Sequence, residues 1–174
     1  MRKRLMKIIS CIILVILIWN HLPYYYSNDR TVNYITKNCA PKSRMMCAGY
    51  VIRAMWHGGC PIGLLPAYAY NKTLPQMGFE EISVKGYKPI KGDISVLPTN
   101  RHTSFGHIAI YNGNKWISDF EQTSIFPGKA YRAVGKYQIF RATDGWHWKH
   151  VWTTPVDWYG WVKATINCWD NIKF

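Results

Sequence analysis

The chain has 174 residues, 48% of them hydrophobic, 16% aromatic and 18% charged, and its 22 Lys and Arg face only 9 Asp and Glu, a formal net charge of +13. That balance excludes a disordered or collagen-like chain and suits one domain with a real core. Five Cys without a single CxxC pair exclude a zinc ribbon and a thioredoxin-type redox site. The surplus of positive charge calls for an anionic partner, whether nucleic acid, anionic lipid or an acidic polymer of a cell envelope.

The N-terminus narrows that choice. Arg2, Lys3, Arg4 and Lys7 precede an apolar run from Ile8 to Trp19, the layout of a secretory signal or a signal anchor. The run is shorter than the ~20 residues that span a bilayer, but Leu5, Met6 and Leu22 extend it, and Trp19 with Tyr24 to Tyr26 stand where interfacial anchors belong. Asn20-His21-Leu22-Pro23-Tyr24 offers bulky groups where a signal peptidase needs small ones, so residues 1–22 are expected to form an uncleaved anchor in the cytoplasmic membrane. Everything after it would be exported to the periplasm or cell envelope. Without those four N-terminal charges the body still holds 18 basic against 9 acidic residues. The expected partner shifts from nucleic acid to an anionic wall or lipid surface.

Residues 23–42 are polar and aperiodic and read as a tether. Ser43 then suits an N-cap for a helix over Arg44 to His57, with Met46, Tyr50, Val51, Ala54 and Met55 on one face and Gly58-Gly59 ending it. Ala67 to Leu74 suggests one or two more turns between Pro66 and Pro75. Strand chemistry follows over Phe79 to Val84, Ile94 to Leu97, Gly106 to Tyr111, Lys115 to Phe120 and Lys136 to Arg141. A helix ahead of a run of strands predicts an α+β core over 43–142. The extension 143–174 holds six of the nine Trp, and Asp157 to Asn171 fits an amphipathic helix packed on the domain, or else a glycan- or membrane-binding surface.

The chemistry-bearing residues lie in the core. Cys11 is inside the apolar run; of the others, Cys47 is singled out by its place in the first turn of the best helix, where unpaired amides and the helix dipole favour a thiolate, with Arg44 nearby. The alternatives are a buried core thiol or half of a disulfide. His107 begins an apolar strand directly after Gly106, an unusual place for a solvated imidazole. If Asn112, Gly113 and Asn114 all form the hairpin loop, His107 faces Asp119 across the ladder, and a carboxylate there orients the ring. A two-residue loop would throw Asp119 to the other face. His102 is the second choice of base. Tyr50, Trp116, Ser118 and Gln122 are candidates to line a substrate cleft. Among Cys39, Cys60 and Cys168 at most one internal disulfide can form, and Cys39 with Cys168 is the pairing favoured.

Helix-borne Cys47-Ala48-Gly49-Tyr50-Val51, then Lys91-Gly92-Asp93-Ile94, then Gly106-His107-Ile108-Ala109-Ile110-Tyr111 with an acid one strand later, resembles the NlpC/CHAP superfamily of papain-like cysteine peptidases and amidases that cleave peptidoglycan. Amidase effectors of type VI secretion and phage lysins are similar. The resemblance covers about Ser43 to Arg141. It implies a papain-like fold with the nucleophile helix packed on an antiparallel sheet, Cys47 as nucleophile, His107 as base, Asp119 as orienting residue and the Cys47 amide as an oxyanion donor. Asn38 and Tyr50 are candidates for the second donor. It implies no metal or cofactor, peptidoglycan as substrate and a proteinaceous inhibitor as a further partner. Met46 and Ala48 depart from the usual pattern, which has polar residues at those places. The competing readings are a papain-like protease or acyltransferase acting on protein or lipid, and a non-catalytic envelope-binding module.

Overall fold

The computed structural model describes residues 4–11, 14, 22–101 and 103–148. In chain order the elements are β1 (Tyr24–Tyr26), α1 (Asn28–Asn38), α2 (Cys47–His57), a 3-10 turn (Ala67–Ala69) running into α3 (Tyr70–Gln76), β2 (Glu80–Ile82), β3 (Ile94–Leu97), β4 (His107–Tyr111), β5 (Trp116–Ile117), β6 (Glu121–Gln122), α4 (Lys129–Val134), β7 (Gln138–Arg141) and β8 (Gly145–His147). Six strands form one antiparallel sheet in the order β2-β7-β3-β4-β5-β6, and β1 pairs with β8 in a separate ribbon. The molecule is α+β, as expected.

The sheet separates two apolar layers of unequal size. Ile94 and Val96 of β3, Ile108 and Ile110 of β4, Ile117 of β5 and Phe140 of β7 join the main core, together with Val51, Ile52 and Met55 of α2 and Val32 and Ile35 of α1. The alternate positions Ala109, Trp116 and Ile139 form a smaller cluster with Tyr111 and Tyr137 on the opposite face. All four residues of β3 are buried, as a central strand covered on both sides must be. The helical layer therefore sits on one face, with α2 against both α1 and β4.

Residues 23–42 are not a tether. Tyr26, Val32 and Ile35 are fully buried, and α1 is a properly capped helix in which Ser27 accepts from the Arg30 amide and Asp29 occupies the first turn. The Ser cap followed by apolar residues three apart was a legible signal in a stretch whose overall polarity masked it. The domain also reaches past residue 142, because β8 pairs residue for residue with β1, Tyr24 opposite His147 and Tyr26 opposite Gly145. The expected amphipathic helix at 157–171 and Cys168 lie outside the described residues. Residues 4–11 and 14 are helical, the remainder of the expected anchor lies outside the described residues, and among those described no helix is long and apolar enough to cross a membrane.

One buried ion pair ties the sheet together. Asp93, fully buried at the start of β3, receives the Arg141 side chain from β7 through Nε to Oδ1 at 2.6 Å and Nη2 to Oδ2 at 2.9 Å. The Tyr87 hydroxyl and the Ile90 amide donate to the same carboxylate at 2.7 and 2.9 Å. Gly92 beside it has φ +93, and a Cβ there would stand 2.4 Å from Asn28 Oδ1, so only glycine lets this loop meet the start of α1. The Gly-Asp pair of the sequence pattern is thus structural. Asp93→Ala leaves a guanidinium and a phenol without their buried acceptor and should cost about 3 kcal/mol or more in urea unfolding. A loss under about 1 kcal/mol would show that the pair carries no stability.

Candidate active site

Cys47 is the first residue of α2, three positions later than the sequence suggested. Ser43 is not the N-cap. Met46 holds that position without a side-chain hydrogen bond, and the capping is supplied from across the fold. Asp119, 1% exposed in the β5–β6 turn, accepts at Oδ2 from the Arg44 amide at 2.5 Å, the Met46 amide at 3.3 Å and the Ser43 hydroxyl at 3.2 Å. The Asp119 carbonyl also accepts from the Ala40 amide at 2.7 Å. The loop before Cys47 is wrapped around a buried carboxylate, with Met45 at φ +58 completing the turn.

The hairpin register explains why Asp119 is there. Ile110 pairs with Ile117 and Tyr111 with Trp116, and the Asn112 amide donates to the Lys115 carbonyl, leaving Gly113 and Asn114 as a two-residue loop. The three-residue loop expected from sequence is therefore corrected, and every residue beyond the turn changes face. Asp119 joins the face of the Cys47 helix, while Ser118 and Gln122 share the face of His107. Instead of Asp119, the Gln122 carboxamide meets His107, its nitrogen 2.7 Å from ring Nε2. The same nitrogen donates to Ser118 Oγ at 2.8 Å, and Ser118 Oγ donates to Asp119 Oδ1 at 2.9 Å. His107 and the Cys47 loop are thus joined by a buried polar chain, His107–Gln122–Ser118–Asp119–Arg44/Met46.

The sulfur of Cys47 lies where β5 leaves β4. Tyr111 N–H bonds the Asp93 carbonyl on the β3 side, so by alternation Ile108 N–H points to the β5 side, beyond the end of that short strand. The Ile108 amide is near enough to Cys47 Sγ to favour its thiolate, as are, more weakly, the amides of Ala48 and Cys47. Sulfur, helix N-terminus and the backbone next to His107 meet at one point. Gly106, φ +68, lets the chain ahead of His107 pass close to β3 and the 3-10 turn, since a Cβ would lie 2.5 Å from the Leu97 carbonyl and 3.0 Å from Tyr68.

Both reactive groups rest neutral. Burial pushes the half-buried Cys47 thiol up to about 11; the Ile108 amide opposes this, the Asp119 charge reinforces it, and the Ala48 and Cys47 amides oppose it weakly. The lowered thiol expected from the helix dipole is corrected: the dipole acts, and desolvation outweighs it. Burial likewise pushes His107 down to about 4, against the upward pull of Asp119 and of the Gln122 hydrogen bond.

The other candidates are distributed unevenly. Tyr50 lines a cavity beside α2 with Asn38, whose side-chain amide donates to the Tyr34 carbonyl at 2.7 Å. Trp116 is buried in the small cluster, 5.2 Å from the Tyr111 ring, and pairs across the ladder with Gln122 on the face that His107 shares. Ser118 and Gln122 are buried behind His107 rather than open to a ligand. No disulfide joins Cys39, Cys47 and Cys60 to one another, so Cys47 is not tied up with either of the other two. His102 lies outside the described residues. Sequence reading missed Tyr131 on α4, whose hydroxyl donates to the Gly106 carbonyl at 2.7 Å and whose ring lies 5.8 Å from that of His107. The burial of its phenol and the nearness of Cys47 both raise its pKa. The only trace of α4 in the sequence is a short helix-forming run between Gly128 and Gly135.

No protein-family profile and no curated protein matches the chain. Among solved structures it is similar to a chain in the type VI native effector-immunity complex Tae3-Tai3 from Ralstonia pickettii, with 35% identity and a TM-score of 0.61 over 68% of this chain and all of that one. The selenomethionine form of that complex gives 36% identity and a TM-score of 0.58 over 63% of this chain and 97% of that one. With identity at this level along the whole of a solved relative, the chain belongs to the Tae3 family of type VI effectors.

Proposed function

We propose that this protein is a peptidoglycan amidase that acts in the cell envelope, opening an amide of the stem peptides with Cys47 as nucleophile and His107 as general base. The observation that carries the reading is the meeting of Cys47 Sγ, three backbone amides and the His107 segment of β4 at one partly enclosed point. The kinship with Tae3 supports a wall amide as the target, and the papain-like reading of the motif order agrees with it. The relative's complex with Tai3 supports a proteinaceous inhibitor for this chain as well.

The chemistry follows from the neutral resting pair. Since thiol and imidazole are each uncharged between about 4 and 11, the thiol proton passes to His107 as the C–S bond forms rather than before it. Ring Nε2 faces Gln122, and Nδ1 has no hydrogen-bond partner among the described residues, so Nδ1 is the nitrogen that takes the proton. That requires the proton of neutral His107 on Nε2. The Gln122 carboxamide oxygen is buried with no partner, and a half-turn of the carboxamide brings it onto Nε2–H, where it also accepts from the Ser118 hydroxyl as that proton turns from Asp119. Gln122 is thus the positioning residue in the place expected for Asp119, and Asp119 holds the nucleophile's loop. The tetrahedral oxyanion is stabilised by the Cys47 amide, which has no acceptor within α2. His107 then gives its proton to the leaving amine, and water, deprotonated by His107, releases the acyl group and restores the thiol.

Incubation of purified sacculi with the protein should release new amino and carboxyl termini, read by mass spectrometry of the muropeptides. Cys47→Ala should abolish them and His107→Ala should slow them by about 10²-fold or more. Sacculi left unchanged by wild-type protein would sink the amidase reading.

The neutral pair makes a second prediction. Alkylation of Cys47 by iodoacetamide should rise steadily above about pH 9 toward 11, whereas a rate plateau between pH 5 and 8 would reveal a preformed ion pair. In the same pH range His107 sets acid stability. Its folded value near 4 lies below the ordinary 6.5, so the stabilisation is complete above about pH 6.5 and is lost as the pH falls through about 4.

Gln122→Ala should lower kcat at least about tenfold, part of the general-base contribution, with a near-native Tm. Gln122→Glu should shift the acid limb of kcat/KM upward from about 4, because a carboxylate favours the imidazolium. An unmoved limb in the folded Glu variant would remove Gln122 from the positioning role.

A further inference from the structure

Beside the nucleophile lies a second feature that the chemistry above does not use. A cavity of about 130 Å³ opens between α1 and the N-terminal half of α2, lined by Tyr34 and Asn38 from α1, Arg44 from the loop, and Gly49, Tyr50 and Arg53 from α2. Gly49, Tyr50 and Arg53 follow one another at helical spacing on a single stripe of α2, and the stripe begins at Met46, the neighbour of Cys47. Arg53 is six residues from Cys47, about 9 Å along the axis at ~1.5 Å per residue, and its long side chain leans back toward the helix N-terminus. A peptide spans about 3.5 Å per residue, so a group in this cavity sits within one or two residues of the bond attacked by Cys47.

The charge of the cavity is unbalanced. Among the described residues neither the Arg44 nor the Arg53 guanidinium has a hydrogen bond or ion pair, and no acid lines the cavity. The acids of neighbouring elements are committed elsewhere: Asp119 to the loop amides, Glu121 to Lys115 at 2.6 Å and Asp29 to Lys91 at 2.5 Å. Two guanidiniums with free planar donors, next to phenols in a recess large enough for a carboxylate and the carbons that carry it, suit a bidentate anion.

We propose that this cavity is a specificity subsite for a free carboxylate of the stem peptide, held by Arg53 and Arg44 one or two residues from the scissile amide. The proposal rests on the amidase reading and adds to it a preference for carboxylate over carboxamide in the substrate.

Two muropeptides, one with free stem carboxylates and one with the same carboxylates amidated, decide it. The wild-type protein should show a KM about 10- to 100-fold higher for the amidated form at similar kcat. Arg53→Gln should raise KM for the free form by that factor and lose the discrimination, and the exposed Arg44→Gln should do so in part. Calorimetric binding to Cys47→Ala gives a readout that needs no turnover and should show the same preference. Equal binding of the two muropeptides, or a folded Arg53→Gln that keeps the wild-type ratio, would overturn the subsite. Wild-type protein that cleaves neither muropeptide, while Cys47→Ala still prefers the free form, would instead overturn the amidase reading and leave the subsite standing.

Discussion

The arrangement depends on one buried carboxylate. Among the described residues Asp119 has no cationic partner; its charge is met by two loop amides, the Ser43 hydroxyl and the Ser118 hydroxyl. Such donors stabilise an anion only if they converge, so the loop before Cys47 has one shape while the carboxylate stays in place. The helix that carries Cys47 is therefore started from the sheet rather than by its own sequence. The same residue reaches His107 through Ser118 and Gln122. A displacement of the β5–β6 turn would move Cys47 and His107 together, which preserves their relation better than two independent anchors would.

The cost of this design is electrostatic. A carboxylate near a thiol opposes thiolate formation, and burial opposes it further, so Cys47 at about 11 and His107 at about 4 are far from a resting ion pair. The three amides aimed at the sulfur work in the opposite direction and are not enough in the empty site. In the proposed reaction they act later, when negative charge develops on the carbonyl oxygen of a bound amide and the Cys47 amide is available to it. A neutral thiol is also a poor target for stray electrophiles and oxidants.

Much of this was legible in the sequence, and what was not has a definite cause. Cys47 stands out because it precedes an apolar stripe that ends at two glycines, and His107 because Gly106 puts it at the head of an apolar strand; both signals are local. Asp119 and Gln122 were both named from sequence, but it is the Gln122 carboxamide that meets His107, because a face assignment in a hairpin depends on loop length and one residue inverts it. Asn112-Gly113-Asn114 permits either loop, and the choice is made by pairing of Asn112 with Lys115. Residues 23–42 were hidden by composition: α1 has a polar exposed face and buries only a narrow stripe of Thr31, Val32 and Ile35. Long-range capping, as Asp119 provides for α2, leaves no mark in the sequence around the helix it caps.

The surplus of basic residues acquires a more specific meaning from the same geometry. Most cations on a protein surface give only a screened, long-range attraction, enough to hold the molecule near an anionic wall. Arg44 and Arg53 differ because the fold sets the half-buried Arg53 in a recess beside α2 with Arg44 at its rim, while assigning nearby acids to other partners. Guanidiniums so placed keep their donors for a ligand, and the low dielectric of a recess makes each contact worth more than on an open face. Arg44 also lends its amide to Asp119. One loop residue thus serves the nucleophile through its backbone and the cavity through its side chain, so the shape that positions Cys47 also fixes where an anion is met.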